Sequence, residues 1–254
     1  MHKMITGCLL TLFLLVSCKN EKKNEVSETW RTKKAAIENA VHNQLLEVEQ
    51  EAGWELLFDG ETMNGWHLYN DAGAQSVWEV VDGTLHSNPN DESLTAGDLV
   101  TDKTYENYEL SLEWKVIGNG NRAKFINDQE LPHVPTAWQS GPEYQILGAD
   151  HMDYDVPEKR PGCLYVFLPQ QHKVEVKQGD WNKTTIKQKN GKIEFYLNGE
   201  LTAEEDLTLP EWKDKVAASH FSKYPEFGKT TSGQIALQYW YFETWFRNIK
   251  IREL

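Results

Sequence analysis

The feature that most constrains the fold of this chain is an alternation of apolar and polar side chains that begins near Trp54. The segments Tyr108–Val116 and Lys192–Leu197 show it best, and it predicts strands with one buried face because successive strand side chains point to opposite sides. Asn-Gly pairs at 190–191 and 198–199 favour hairpin turns. Further strands are predicted within residues 78–81, 184–187, 234–238 and 245–251. Short strands separated by turns, without helical patterns between them, predict an antiparallel β-sandwich.

Composition narrows the class of partner. The chain has 254 residues and a formal net charge of −13, whereas binding to a phosphate backbone requires a basic surface. We therefore expect no nucleic-acid partner. Ten Trp, ten Tyr and nine Phe are many for this length. Aromatic rings pack well in sheets and also stack on the C–H faces of sugars, so most are expected in the core and a few could bind carbohydrate.

The N-terminus resembles that of a bacterial lipoprotein. Lys3 precedes an apolar run over residues 8–16, which is shorter than the roughly 20 residues that a membrane-spanning helix needs. The run ends in Leu15-Val16-Ser17-Cys18, which is similar to a lipobox, where the cysteine is lipidated and becomes the first mature residue. We predict a signal peptide over residues 1–17 and a lipid anchor on Cys18 that holds the protein at the cell envelope, by default the outer membrane. The alternative is a secretory signal with a nearby cleavage point.

Residues 18–52 separate the predicted anchor from the strand-rich region. The polar residues 19–27 are typical of a disordered tether, and apolar residues at helical spacing predict a helix within residues 28–52. The folded domain is then expected to span residues 53–254.

Cys163 is the one cysteine outside the signal and the anchor. It has no evident partnering histidine, so we expect a buried packing residue rather than a nucleophile.

Two irregular stretches predict long loops, which in compact domains are often functional. The first covers residues 119–140 and includes Trp138, and the second covers residues 149–171. The second contains an acidic cluster whose carboxylates could bind a hard cation such as calcium, or orient His151 as a general base. A hydrophilic surface loop is the simpler interpretation. The cluster consists of Asp150, His151, Asp153 and Asp155.

The segment GPEYQIL at residues 141–147 is the strongest candidate for chemistry. Read as a strand, it directs Glu143 and Gln145 to one face and Tyr144 and Ile146 to the other. A carboxylate beside an amide in a hollow suits sugar hydroxyls, a metal ion or proton transfer. The alternative is the solvated face of an edge strand.

The order of several motifs resembles the 3-keto-disaccharide hydrolase domain family, which has a concanavalin A-like jelly-roll sandwich. The resemblance opens with GWELLFDG at residues 53–60 and continues through the segments at 108–115 and 141–145. It closes with GQIALQ at 233–238 and FRNIKI at 246–251. Two positions depart from the family pattern. Tyr239-Trp240-Tyr241 stands where the family commonly has Asp-His-Gly, which removes a histidine, and residues 120–124 replace Asn-Ser-Gly.

The resemblance implies cleavage of glycosides already oxidised to a ketone at C3, by abstraction of the C2 proton, elimination of the C1 aglycone and hydration. It makes Glu143 the first candidate for the base or for a ligand of a divalent metal. It also makes Arg122 and His151 candidate stabilisers of the enolate, and Tyr165 a candidate catalytic donor to the leaving oxygen. Candidate substrate-binding residues are Gln145, Arg122, Trp138, Gln238 and Trp240.

Two other functions stay open at this point. One is a carbohydrate-binding lipoprotein without activity, in which Trp138, Trp240 and Tyr241 form a stacking platform. Loss of the closing histidine favours that alternative, and the Glu143-Tyr144-Gln145 segment favours the enzyme. The other is a two-carboxylate glycosidase, for which the sequence offers no evident acid and nucleophile pair.

Overall fold

The computed structural model describes residues 42–90 and 93–254, apart from the side chains of residues 122 and 123. The predicted signal peptide, the Cys18 anchor, the tether and most of the predicted N-terminal helix lie outside the described residues. The last part of that segment forms the short helix α1 (Glu47–Glu51), and Glu49 makes an ion pair with Lys250 of the sandwich. Within the described ranges, no helix has both the length and the apolar character needed to cross a membrane.

Thirteen strands follow in the described part of the chain, and every pairing within the two sheets is antiparallel. Their bounds are β1 Glu55–Leu56, β2 Trp66–Leu68, β3 Trp78–Val81, β4 Thr84–Ser87, β5 Leu99–Thr101, β6 Tyr108–Val116, β7 Asn121–Asp128, β8 Glu143–Leu147, β9 Asn182–Lys189, β10 Lys192–Leu197, β11 Glu200–Asp206, β12 Gln234–Leu237 and β13 Thr244–Glu253. A helix, α2 (Pro210–Ala218), lies between β11 and β12.

The strands form two layers. The larger sheet has the order β11-β10-β9-β6-β13-β4-β3, with β1 also paired to β13, and the smaller has the order β2-β5-β12-β7-β8. Neighbours in each sheet are often distant in sequence, as in the β6–β13 and β12–β7 pairs, which is the connectivity of a jelly roll. The all-β concanavalin A-like jelly-roll sandwich with a short N-terminal helix is therefore confirmed.

Local turn chemistry sets the hairpins of the larger sheet. Asn190 (φ 51°) with Gly191 (φ 78°) joins β9 to β10, and Asn198 (φ 52°) with Gly199 (φ 93°) joins β10 to β11. Positive φ at both central residues is the type I′ geometry, whose twist matches that of the flanking strands. The two Asn-Gly turns predicted from the sequence are both present.

The hydrophobic core lies between the layers. Leu112, Trp114 and Phe195 of the larger sheet share one buried cluster with Tyr144 and Ile146 of the smaller sheet. Each large side chain of this kind contributes about 1.5–3 kcal/mol when it is fully buried. The apolar faces predicted by alternation are thus the inner faces of the sandwich.

The long loop predicted over residues 119–140 is wrong in its first half. Asn121–Asp128 forms β7, which pairs with both β8 and β12. The sequence NRAKFIND gives little alternation because Lys124, a residue type that is normally exposed, is fully buried on the core side of this strand.

Candidate functional site

The candidate site lies on the face of the smaller sheet that points away from the core. Glu143, Gln145 and Leu147 of β8 face a pocket of about 330 Å³ there, while Tyr144 and Ile146 point into the core. The predicted division of this strand into two faces is confirmed. Glu143 and Gln145 therefore share a hollow of the size that holds a small ligand.

Close backbone packing fixes β8 at its position. A side chain at Gly141 would place its Cβ 2.8 Å from the carbonyl oxygen of Ile126, so only glycine allows the chain to approach β7 here. On the other edge, residues 162–165 run beside β8. The amide of Gly162 donates to the Gln145 carbonyl at 2.8 Å, and the amide of Tyr165 donates to the Glu143 carbonyl at 3.1 Å. These contacts place Tyr165 next to Glu143.

The walls of the pocket come from segments far apart in the sequence. A 3₁₀ helix (Ala137–Gln139) supplies Trp138, and a second 3₁₀ helix (His220–Lys223) supplies His220 and Phe221. The segment that follows β12 supplies Gln238 and Trp240. The loop after β8 supplies Asp153, Lys159 and Tyr165, and β7 supplies Asn121. A sugar in this pocket would therefore meet a carboxylate, an amine, amides and aromatic rings.

Aromatic packing behind the wall holds Trp138 in place. Its ring meets the ring of Tyr224 edge to face at 4.7 Å and that of Phe221 at 6.5 Å. Phe221 in turn stacks on Phe227 at 3.9 Å. Edge-to-face and stacked aromatic pairs each stabilise a structure by about 0.5–1.5 kcal/mol beyond area burial. Trp138 is consequently a preordered wall of the pocket.

The Glu143 carboxylate has no hydrogen-bond or ion-pair partner among the residues that the structure describes. The residue remains partly exposed through the pocket. Burial of its carboxyl group raises the pKa of Glu143 to about 8, and the negative charge of Asp98 contributes in the same direction. A carboxylate with a pKa near neutrality is suited to take up a proton during a reaction.

A charged pair lines the same pocket as Glu143. Lys159 donates to the Asp153 carboxylate at 3.0 Å, and this hydrogen bond raises the pKa of the ammonium group above its usual value, so Lys159 carries a positive charge. Burial raises the pKa of the Tyr165 hydroxyl, Glu143 adds to this increase, and Lys159 opposes it. The Tyr165 hydroxyl is thus under the electrostatic influence of both Glu143 and Lys159, which line the same pocket.

The amides of the pocket retain unused hydrogen-bonding capacity. Gln145 donates through Nε2 to the Asn121 side chain at 2.9 Å, but its Oε1 is buried and has no partner within the described ranges. Gln238 makes no side-chain hydrogen bond to any described residue. Such groups are uncommon in a folded protein unless a ligand or water completes them.

The structure brings most of the predicted site residues together. Those that line the pocket are Glu143, Tyr165, Gln145, Trp138, Gln238 and Trp240. His151 does not line it, because its Nδ1 accepts the backbone N–H of Asp153 at 3.1 Å within its own turn. The backbone of Arg122 pairs with Ile146 in the sheet, and its side chain lies outside the description.

The acidic cluster of the second loop is divided among separate partners. Asp150 accepts from Gln178, Asp153 from Lys159 and Asp155 from Arg160. No group of three or more His, Cys, Asp or Glu side chains within residues 42–90 and 93–254 is arranged to hold a metal ion. Because the donor set around Glu143 does not fit the divalent metal that the sequence left open, we derive no catalytic step through a metal.

Four pocket residues were not expected from the sequence: Asn121, Lys159, His220 and Phe221. His220 places an imidazole in the pocket, although this chain lacks the histidine of the family's closing Asp-His-Gly motif. No local pattern marks these residues, since each reaches the pocket through the fold.

Cys163 is fully buried, and its thiol contacts the carbonyl of Glu158 at 3.2 Å, in keeping with a packing role.

Comparison with known proteins gives one consistent relationship. The sequence profile of the 3-keto-alpha-glucoside-1,2-lyase-like domain matches residues 53–252. A 3-keto-disaccharide hydrolase from Bacteroides thetaiotaomicron is 30% identical, and the match covers 98% of this chain and 97% of that protein.

Two crystal structures from Parabacteroides distasonis, both provisionally named glycosyl hydrolases, share the fold. The first is 28% identical with a TM-score of 0.77 and covers 84% of this chain and 100% of that chain. The second is 27% identical with a TM-score of 0.59 and covers 79% of this chain and 99% of that chain. With a profile that spans the whole sandwich and a full-length relative at 30% identity, the chain belongs to the 3-keto-alpha-glucoside-1,2-lyase-like domain family.

Proposed function

We propose that this protein cleaves glycosides that carry a ketone at C3, with Glu143 as the base. The observation that carries this proposal is the Glu143 carboxylate, which lines a sugar-sized pocket, lacks a partner among the described residues and has a pKa raised to about 8. A catalytic base works best when its pKa lies near the operating pH. The activity named for the relative at 30% identity supports the same substrate class.

The chemistry needs one base rather than two glycosidase carboxylates. The C3 ketone acidifies the hydrogen on C2, so the base can remove it while the electron pair forms a C2=C3 enolate. The carbonyl then re-forms, the C1–O bond breaks and the departing oxygen takes a proton. Water finally adds across the C1=C2 double bond, with its hydroxyl at C1 and its proton at C2. The net result is hydrolysis to a 3-keto sugar and a free alcohol.

The neighbours of Glu143 fit the remaining tasks. The Lys159 ammonium group is the described cation in the pocket wall best suited to stabilise the enolate oxygen electrostatically. The Tyr165 hydroxyl, whose pKa burial and the Glu143 charge raise, lines the same pocket and can donate to the departing oxygen. Gln145 through its Oε1, and Gln238 through its amide, can bind sugar hydroxyls, because these groups have no hydrogen-bond partner among the described residues.

A non-catalytic carbohydrate-binding protein is the second candidate function. It is favoured by Trp240 and Tyr241, whose side chains are exposed beside the pocket and are suited to stacking on sugars. A two-carboxylate glycosidase is less compatible with the pocket, because Asp153, the other carboxylate in its wall, is paired with Lys159.

Incubation with methyl 3-keto-α-glucoside in deuterated water separates these functions. Elimination chemistry predicts deuterium at C2 together with release of methanol, and both should be lost in Glu143→Gln. Binding without turnover would support the non-catalytic function. Cleavage of unoxidised methyl α-glucoside, without exchange at C2, would support the two-carboxylate mechanism and contradict our proposal.

We also propose that the mature protein is anchored at the cell envelope through Cys18. The lipobox-like sequence before that residue supports this location. Full-length protein expressed in a bacterial host should incorporate labelled palmitate and sediment with membranes, and Cys18→Ser should abolish both. Equal labelling of the two forms would contradict the anchor.

A further inference from the structure

A second pocket, of about 280 Å³, adjoins the one that contains Glu143. Trp138, Gln238 and Trp240 line both pockets, so the two cavities meet along a common wall. Their volumes, about 330 and 280 Å³, lie near the lower end of the roughly 300–1,000 Å³ range of pockets that enclose a drug-sized ligand. A ligand larger than one sugar ring would therefore extend from the first pocket into the second.

The second pocket has the aromatic lining of a sugar-binding surface. Tyr241 lines it without touching the first pocket, and it is 72% exposed, while Trp240 is 48% exposed. They are the exposed large aromatic side chains in the described part of the chain, where most other Trp, Tyr and Phe residues are at least half-buried. Because leaving two such rings in water is unfavourable, their position beside a pocket indicates a ligand that covers them.

Polar groups accompany these rings. The Asp98 carboxylate lines the second pocket and accepts the backbone N–H of Tyr239 at 2.9 Å, which fastens the segment that carries Trp240 and Tyr241. The Gln238 amide lies at the boundary of both pockets and has no hydrogen-bond partner among the described residues. Aromatic faces with a few fixed polar groups match a sugar ring, which has apolar faces and a polar rim, better than a purely apolar group.

We propose that the second pocket is the subsite for the departing half of a keto-disaccharide. In this arrangement, which rests on the proposed function, the oxidised ring lies against Glu143 and an unoxidised sugar ring stacks on Tyr241 and Trp240. The glycosidic oxygen then lies near Trp138 and Gln238. The Tyr239-Trp240-Tyr241 sequence, which replaces the family's usual Asp-His-Gly, thus provides selectivity for the leaving group.

The test compares two substrates: maltose oxidised at C3 of its non-reducing ring, and methyl 3-keto-α-glucoside, which leaves the second pocket empty. The measured quantity is kcat/KM for the keto-maltose divided by kcat/KM for the methyl glycoside. Tyr241→Ala should lower this ratio by roughly 3–10-fold, as expected for loss of one stacking ring, mainly through a higher KM for keto-maltose. Tyr241→Phe keeps the ring and should restore the wild-type ratio.

Three outcomes would overturn the proposal: an unchanged ratio in Tyr241→Ala, a Tyr241→Phe variant that behaves like Tyr241→Ala, or a stronger dependence on Tyr241 for 4-nitrophenyl 3-keto-α-glucoside than for keto-maltose. The last result would assign the pocket to an aromatic leaving group.

Calorimetric binding of unoxidised maltose and methyl α-glucoside tests the subsite without any chemistry. Wild type should bind maltose more tightly, and Tyr241→Ala should remove that preference. If wild type cleaves neither keto substrate, the proposed function fails. The binding preference then still decides whether the second sugar subsite exists.

Discussion

The Glu143 carboxylate on the outer face of the smaller sheet and the Arg247–Glu113 pair on the outer face of the larger sheet lie in contrasting environments. On the larger sheet, Arg247 of β13 contacts the Glu113 carboxylate at 2.8 Å and lies 3.9 Å from the centre of the Trp181 ring. Lys115 lies 4.7 Å from the Trp245 ring. On the smaller sheet, Glu143 lines a pocket and has no counterion among the described residues.

This difference separates polar groups that maintain the fold from polar groups that await a ligand. A partly buried charged or polar group that serves only stability is normally hydrogen-bonded, because an unpaired one costs free energy. Glu143, Gln145 and Gln238 break that rule together, in one pocket. Their incomplete bonding is the strongest structural indication that this face, rather than the larger sheet, performs the function.

The largest expected effect comes from Glu143→Gln. Loss of the base should lower kcat/KM on a 3-keto-glucoside by about 10²–10⁴-fold, measured by release of the alcohol. Glu113→Gln removes a carboxylate of the same kind from the outer face of the larger sheet and should leave kcat/KM near the wild-type value. Similar activity in wild type and Glu143→Gln would refute the assignment of the base.

Glu143→Gln should also become increasingly more stable than wild type as the pH rises. Burial raises the pKa of Glu143 from 4.5 to about 8, so the folded state binds an additional proton between these values, and the wild type loses stability as pH increases through this window. Glutamine mimics the protonated form. The free energy of unfolding of Glu143→Gln relative to wild type, measured by thermal unfolding at pH 5, 7 and 9, should increase with pH by at least about 1 kcal/mol. A difference between the two proteins that does not change with pH would contradict the raised pKa.

Lys124→Met tests the opposite case, a buried amine on the core side of β7. Lys124 is fully buried, its Nζ has no hydrogen-bond partner among the described residues, and burial lowers its pKa far below the usual value. The substitution should raise the free energy of unfolding at pH 7 by roughly 1–3 kcal/mol. Because the unfolded state binds more protons, wild-type stability rises with pH and the gain should shrink toward pH 10. Lys115→Met on the outer face should give no such gain, and a loss of stability in Lys124→Met at every pH would show that the amine is satisfied.

Asp98→Asn should move the pH dependence of the reaction. The activity should rise with pH through the pKa of Glu143, since only the carboxylate form accepts a proton, and the charge of Asp98 helps to hold that pKa up. Removing the charge should shift the midpoint of kcat/KM against pH downward by up to about one unit. Asp155→Asn, which removes a charge that is 90% exposed, should leave the midpoint unchanged. A fixed midpoint in Asp98→Asn would show that burial alone sets the pKa.

The smallest effect is expected on the larger sheet. Arg247→Gln removes the contact with Glu113 and the packing on Trp181, which should lower the free energy of unfolding by about 1 kcal/mol. Chemical denaturation measures this loss, and kcat/KM should not change. A large loss of activity would mean that the outer face of the larger sheet also takes part in function.

Much of the fold could be read from local patterns. The predicted strands at Tyr108–Val116 and Lys192–Leu197 are β6 and β10, and the Asn-Gly pairs form the turns beside β10. The prediction failed at β7, where the buried Lys124 disrupts the alternation. Alternation reports which face is apolar, so a strand with a charged residue type on its inner face escapes it.

The sequence by itself determined that the chain forms a sandwich and that Glu143 and Gln145 share one strand face, because strand geometry alternates side chains without reference to the rest of the chain. Only the tertiary structure decided what surrounds that face. Lys159, His220 and Gln238 reach it from three separate segments, and His151, although near β8 in sequence, does not line it. The burial that raises the pKa of Glu143 is likewise a property of the assembled walls. Such walls depend on long-range packing between layers, which no local pattern encodes.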